Sequence, residues 1–584
     1  MTLDAMEIEF DVEIAMDDGI SLRADVFRPC SGPPAPVLLS CGPYGKGVHY
    51  EDGQPYQWQR LIEDHPQVLH GTSSLLQNWE VVDPERWVPS GYAVVRVDSR
   101  GAGRSPGYLD LLSPRETMDL YHCIEWAGTR PWSSGRVGLT GISYYAINQW
   151  QVAALRPPHL AAMCVWEGSS DIYREMAFNG GVWNCFTELW YLNRVVPRQH
   201  GMGRRGFRSR LNGEFASGPE TLPDEVLTAN RSDLPVQLRS HPFMDEFWDQ
   251  RVPRLSEIDV PLLSAANWGG AGLHLRGNIE GFLRAGSAQK WLEIHSGPHW
   301  ASFYTEDAVA LQQAFFDRFL LERDNGFDRR PAVSFEMRSP EGRPERREAD
   351  GWPVPETVWT KLFLDLAAGS LVQAEPSVSC SVGYDPFAES LTFLTPPLAE
   401  RVELAGPVAA RLYVSSETED ADLFLVLRAF DSSMREVTFH GANAPHAPLT
   451  LGWLRLSHRE LDAALSTTSR PFHRHRCRSE VTPGEVYEVD VEIWPTSVIL
   501  SPNHRLALTV SGRDYQWAGA EDEFVQVSGV SATANPLQSG VGPYRHANGM
   551  DRPPAVFGGK VTVHSLPGRA PFVVLPVLHG GGRR

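Results

Sequence analysis

The stretch RVGLTGISYYAINQW at residues 136–150 limits the fold more than any other, because it reads as a strand that turns at once into a helix. Val137, Gly138 and Leu139 form a short apolar run, Gly141 permits the tight approach, and Ala146 to Leu155 carries helical periodicity. Ser143 sits at the apex. A hydroxyl on such a corner projects into a cleft where a base can take its proton and oxyanion donors can face the attacked carbonyl, which points to acyl transfer. The elbow pattern G-x-S-x-G wants a small residue two places after the serine, and here Tyr145 stands there with Ala146 following. The plainer alternative for Ser143 is a helix N-cap.

A chain of 584 residues exceeds one hydrophobic core and is expected to divide into domains. Its net charge of −19 sets up a field that repels phosphate backbones and anionic lipid, so neither nucleic acid nor membrane is an expected partner. The N-terminal residues are acidic and alternating, unlike a signal peptide, and no apolar run is long enough to cross a bilayer. Seven cysteines are scattered singly without a C-x-x-C pair, which suits a reducing, cytoplasmic setting. His473, His475 and Cys477 in FHRHRC are the nearest approach to a metal cluster, but alternating ligands among arginines fit an exposed strand edge better, and no metal or cofactor is expected.

Along the chain, residues 12–16 and 21–29 alternate like an edge hairpin around Asp17, Asp18 and Gly19. PVLLS (36–40) and YAVVRVD (92–98) are continuous apolar runs of the kind a buried parallel sheet uses. Thr117–Gly128 has helical spacing, and LAAMCVWEG (160–168), VPLLSAANWGG (260–270) and KWLEIHSGPHW (290–300) supply further strands. The expected fold is α/β, an α/β-hydrolase domain over residues 1–171 and 256–328 with a helical cap inserted at 172–255. Short strands punctuated by Gly, Pro, Asp and Asn then predict a jelly-roll β-sandwich over 329–584.

A serine nucleophile needs a base and an acid that orients it. His295 and His299 both follow the last hydrolase strand; His295 still belongs to the strand pattern, so His299, in the loop after Gly297-Pro298, is the expected base. The loop after the preceding strand, LLSAANWGGAGLH, holds no Asp or Glu. The acid is therefore expected at the end of the strand after the nucleophile helix: Glu167, with Asp171 as the alternative that could instead cap a helix. The Tyr144 N–H and Tyr44, in CGPYGKG, are the expected oxyanion donors. Asp98 reads as part of a structural turn, and Arg204, Arg205, Arg208 and Arg210 as a solvated face. The aromatic cap residues Trp183, Phe186, Trp190 and Tyr191 suggest an apolar acyl or leaving group.

Taken together, PYGKG (43–47), GYAVVRVDSRGAGRSPG (91–107), EWAGTRPWSSGRVGLTGISYYA (125–146), SDIYRE (170–175), HPFMDEFW (241–248), GPHW (297–300) and the C-terminal GPVAARLYVSSETEDADLFLVL and GWLRLSHRE resemble the CocE/NonD family, the cocaine esterase and X-prolyl dipeptidyl-peptidase group. In that family a tyrosine follows the elbow. The resemblance implies a hydrolase sheet, a helical cap and a jelly roll, with Ser143 as nucleophile, His299 or a close neighbour as base, and Tyr44 with the Tyr144 N–H as oxyanion hole. The family's acid lies in a G-W-x-D segment. Asn267, Trp268, Gly269 and Gly270 stand there in this chain, so either the acid has moved to Glu167 or the enzyme is impaired; relocation is the expectation, because the remaining machinery is intact. The expected activity is hydrolysis of a small-molecule ester, or an amide, through an acyl-enzyme. The alternatives are an X-prolyl dipeptidyl-peptidase, with Glu175, Asp245 or Glu246 receiving a free amino group, an acyltransferase, and a carbohydrate-binding protein with a silent hydrolase fold. A homo-oligomer is compatible with the sandwich domain.

Overall fold

A computed structural model describes residues 6–519 and 540–578. Its first sheet contains β1 (Met6–Ala15), β2 (Ser21–Pro29), β3 (Ala35–Gly42), β4 (Ala93–Asp98), β5 (Ser133–Ile142) and β6 (Leu160–Trp166). After a small hairpin in the cap, β7 (Phe178–Asn179) and β8 (Val182–Trp183), it continues with β9 (Leu262–Asn267), β10 (Lys290–His295), β11 (Val333–Met337) and β12 (Glu345–Ala349). The spatial order is β1-β2-β4-β3-β5-β6-β9-β10-β11-β12, parallel from β4 to β11. Every residue of β3, β4 and β9 is buried, as strands covered on both faces must be, which is why they read as unbroken apolar runs. The hairpin expected around Gly19 joins β1 and β2, with Gly19 at φ +85°.

One boundary differs from the sequence reading. Residues 333–349, expected to open the C-terminal domain, instead add β11 and β12 to the hydrolase sheet. Their alternation is the same in either setting, so pattern alone could not assign them; the parallel register Leu292↔Val333 to Ile294↔Phe335 does.

Between β6 and β9 the chain forms short helical pieces, including Phe186–Trp190, Leu234–Arg239 and π-turns at Tyr173–Ala177 and Tyr191–Val195, over the C-terminal ends of the central strands. From Thr357 onward a twelve-stranded sheet folds over and closes on itself: Phe572–Leu578 pairs with Thr357–Asp365 on one side and Val402–Ser416 on the other. The seams are single-residue pairings, Ser370↔Leu394 and Gly452↔Ile493, where the sheet changes face. Alternating Leu and Val from both faces fill the interior, a jelly-roll sandwich.

The two parts share a core, in which Trp268 and Ile294 of the hydrolase pack with Trp453 and Trp494 of the sandwich. Arg276, on the helix after β9, is buried between Glu175 of the cap and Glu492 of the sandwich, 2.9 Å from each.

Candidate active site

Ser143 occupies the turn between β5 and the helix Tyr144–Ala153 with φ 55° and ψ −113°, a conformation that costs a non-glycine residue energy and persists only where its surroundings impose it. Its N–H donates to the carbonyls of Trp166 and Glu167, both at 3.1 Å, and its own carbonyl accepts from Ala146 and Ile147. Tyr145 fits at the elbow because its neighbours are bare. A Cβ on Gly141 would lie 2.4 Å from the Tyr145 Cβ, and one on Gly42 would lie 2.5 Å from its ring.

The serine hydroxyl lies 3.2 Å from Nε2 of His274, which immediately precedes the helix Leu275–Arg284. His299 Nδ1 is 2.8 Å from Glu167, while its Nε2 is 3.0 Å from Glu80. The expected Glu167–His299 contact is therefore present. The expected Ser143–His299 hydrogen bond is not: Glu80 occupies the imidazole nitrogen that would make it, and His274 takes the hydroxyl. The two imidazoles lie nearly parallel, 5.4 Å apart. Glu167 also accepts from Asn267 at 3.2 Å and meets His295 Nε2 at 3.0 Å. Glu80 and Glu167, like Ser143, have positive φ, at 62° and 48°. Backbone bonds wire the three together, since Ile142 N–H donates to the Glu80 carbonyl and Ser143 N–H to that of Glu167.

Burial alone would favour neutral groups here, and the pairings decide where the charges stay. Burial opposes it, but His299 and His295 hold the Glu167 carboxyl well below the usual range. Against its own burial, His299 is pushed up to about 10 by Glu167 and Glu80. His274 is drawn down to about 3, by burial and then by the His299 charge, and is neutral. Burial raises Glu80 despite the pull of His299.

Ser143, His274, His299 and Glu80 line one narrow pocket of about 50 Å³ with Tyr44 and Trp190. Trp190 Nε1–H donates to the Tyr44 hydroxyl at 2.9 Å, leaving the phenolic proton available to the pocket. Burial, reinforced by Glu80, raises Tyr44 well above the ordinary phenol range, so that proton is retained. The Tyr144 N–H, first of its helix, has no hydrogen-bond partner among the described residues. A larger cleft of about 640 Å³ opens beyond Ser296–Pro298 and touches His295, but neither Ser143 nor His299 lines it.

A CocE/NonD family hydrolase from Staphylococcus aureus is 31% identical to this chain and superposes with a TM-score of 0.83, over 98% of this chain and 94% of that one. The chain belongs to the CocE/NonD family. It is a serine hydrolase, with the family's α/β-hydrolase, cap and jelly roll. Residues 18–301 match the X-Pro dipeptidyl-peptidase (S15) family, and residues 325–531 its C-terminal non-catalytic domain. The cocaine esterase of Rhodococcus sp. (strain MB1 Bresler) is 25% identical over 577 residues, covering 86% of this chain and 90% of that protein. An α-amino acid ester hydrolase has the same fold at 16% identity and TM-score 0.67, over 98% of this chain and 97% of that one.

Other sequence candidates in this CocE/NonD hydrolase lie away from the serine. Asp171 pairs with Arg174, at 2.6 Å, and touches neither histidine. Glu175 is buried against Arg276, Asp245 caps a short helix and meets His241, and Glu246 is exposed; none lines the pocket. His473 bonds the Asp490 carbonyl, His475 bonds His458, and Cys477 faces Glu460, so the three share no centre. Of the cap aromatics Phe186 and Trp190 line the pocket, whereas Trp183 and Tyr191 pack elsewhere and bond Glu188 and the Ser232 carbonyl. Arg205 and Arg210 pair with surface acids, as a solvated face would. No helix among the described residues is long and apolar enough to cross a membrane.

The sequence reading did not single out His274 or Glu80. His274 had one available signal, a histidine four residues after the glycine that stands in the acid's place; Glu80 belongs to no motif.

Proposed function

We propose that this hydrolase cleaves carboxylic esters through an acyl-enzyme on Ser143. The observation that carries the reading is the strained elbow holding the Ser143 hydroxyl 3.2 Å from an imidazole, in the pocket that also receives the Glu167-bound His299. Ser143 attacks the carbonyl carbon, and the oxyanion is met by the Tyr144 N–H and the Tyr44 hydroxyl. His299 takes the serine proton and returns it to the departing alcohol, while Glu167 fixes its tautomer. Water, deprotonated the same way, releases the acid. These steps need only the side chains named and water.

His299 suits the base better than His274 because a carboxylate holds its Nδ1, whereas His274 Nδ1 is buried without a hydrogen-bond partner among the described residues. The short contact to Ser143 favours His274 as the second reading. An ester fits better than a peptide's free amino terminus because Glu80, the pocket's one carboxylate among the described residues, is already engaged by His299. The cysteines, scattered singly along the sequence without a C-x-x-C pair, suit a cytoplasmic location.

A fluorophosphonate probe together with chromogenic esters and X-Pro anilides tests the proposal. Labelling that Ser143→Ala abolishes, with turnover of esters and not of anilides, is the expected result. An unlabelled, folded protein would overturn it, and anilide turnover exceeding ester turnover would replace the substrate class.

A further inference from the structure

The pocket wall that carries the cap aromatics also carries an uncommon charge arrangement. Successive turns of the cap place Phe186, Trp190 and Arg194 on one side, and all three line the pocket with Ser143. Arg194 is 8% exposed, and among the described residues its guanidinium makes one hydrogen bond, from Nη1 to the Gly53 carbonyl at 3.2 Å. Arg198, one turn on and 3% exposed, donates to the same carbonyl at 3.2 Å and to the Arg194 carbonyl at 2.8 Å. Neither guanidinium has a carboxylate partner among the described residues. A buried cation is normally paired or saturated with acceptors. Arg338, also buried, shows the saturated form, donating to the Ser497 and Leu449 carbonyls and the Thr496 hydroxyl.

Burial, with Arg198 beside it, pulls Arg194 down to about 9, which leaves it cationic at neutral pH. Glu80 shares the pocket, but its bond is to His299 and it makes none to Arg194. A chain of net charge −19 thus keeps a cation at its reaction pocket with fork donors unspent, the geometry that receives a carboxylate in two parallel bonds.

We propose that Arg194 binds a carboxylate carried by the substrate, so that the preferred esters are anionic, with the charge on either the acyl or the alcohol side. This rests on the ester hydrolase reading above. Arg194 acts as a specificity residue, while Trp190 and Phe186 cover the apolar span between the carboxylate and the reacting carbonyl.

Two matched pairs of esters test it: mono-4-nitrophenyl adipate against 4-nitrophenyl methyl adipate for the acyl side, and 3-carboxyphenyl butyrate against its methyl ester for the alcohol side. In the wild-type enzyme one anionic ester should exceed its neutral partner in kcat/KM by about tenfold or more. Arg194→Met should bring that ratio close to one and Arg194→Lys should restore part of it. Taking the ratio within each protein cancels any general loss of activity, and fluorophosphonate labelling of Ser143 reports an intact nucleophile. Equal or faster turnover of both neutral esters by wild type would overturn the carboxylate site and leave the hydrolase reading standing, even if the Met variant fails to fold. Absence of labelling would overturn the hydrolase reading itself.

Discussion

At the residue scale the active site is a problem of where protons rest. A base must be unprotonated to act, and His299, held between Glu167 and Glu80, keeps its proton up to about pH 10. With His299 as the base, kcat/KM should climb with pH along a limb lying above neutrality. Glu80→Gln removes one of the two carboxylates, so the limb should move to lower pH, measured with a neutral chromogenic ester across pH 5–10. If His274 is the base, already neutral above about pH 3, the profile should instead be flat across that range, with no shift in the variant. The two imidazoles also separate by substitution. His299→Asn and Glu167→Gln should each lower kcat by roughly 10⁴-fold, the order measured when a triad acid is lost, whereas His274→Asn should act mainly on how the serine is held and cost about 10²-fold. The meeting of Glu167 and His299 was legible because each lies at or just beyond the C-terminal end of a parallel strand, and β6 and β10 flank β9. Which imidazole the hydroxyl would meet was not, since His274 and Glu80 enter from loops whose course depends on tertiary packing.

At the element scale, the elbow departs from its usual pattern by moving its bare positions elsewhere. Tyr145 is accommodated by Gly141 and Gly42 in different ways, and a double-mutant cycle distinguishes them. Gly42→Ala meets the Tyr145 ring and should destabilise by about 1–3 kcal/mol, a cost that Tyr145→Ala relieves. Gly141→Ala meets the Cβ of residue 145, which alanine retains, so the second substitution should bring no relief. Thermal or urea unfolding of the wild type, the three single variants and the two double variants reads both outcomes. The strands of the sheet could be read from their apolar runs. The strands β11 and β12 could be recognised as strands but not assigned to a sheet, because a two-residue period specifies a face and says nothing of a partner.

At the scale of the whole molecule, a short segment of the sandwich reaches the backbone that carries His299. Ala442 N–H donates to the Gly269 carbonyl at 3.0 Å, and its own carbonyl accepts from His299 N–H at 3.0 Å. A Cβ on Gly269 would lie 2.5 Å from both the Ala442 nitrogen and the Gly441 Cα, backbone atoms that cannot yield as a side chain can. Gly269→Ala should therefore displace the segment, lower kcat by about 10²-fold through misplacement of His299, and reduce the melting temperature, read by steady-state kinetics and circular dichroism. None of this coupling is visible in the sequence, where 142 residues or more separate the segment from either of its partners.

Asn443 and Tyr544, both from the sandwich, also line the pocket beside Ser143. A chain emerging from the ribosome consequently carries its nucleophile for some three hundred residues of synthesis before the backbone clasp on His299 exists. Ester turnover is accordingly expected to begin only once the last domain has closed.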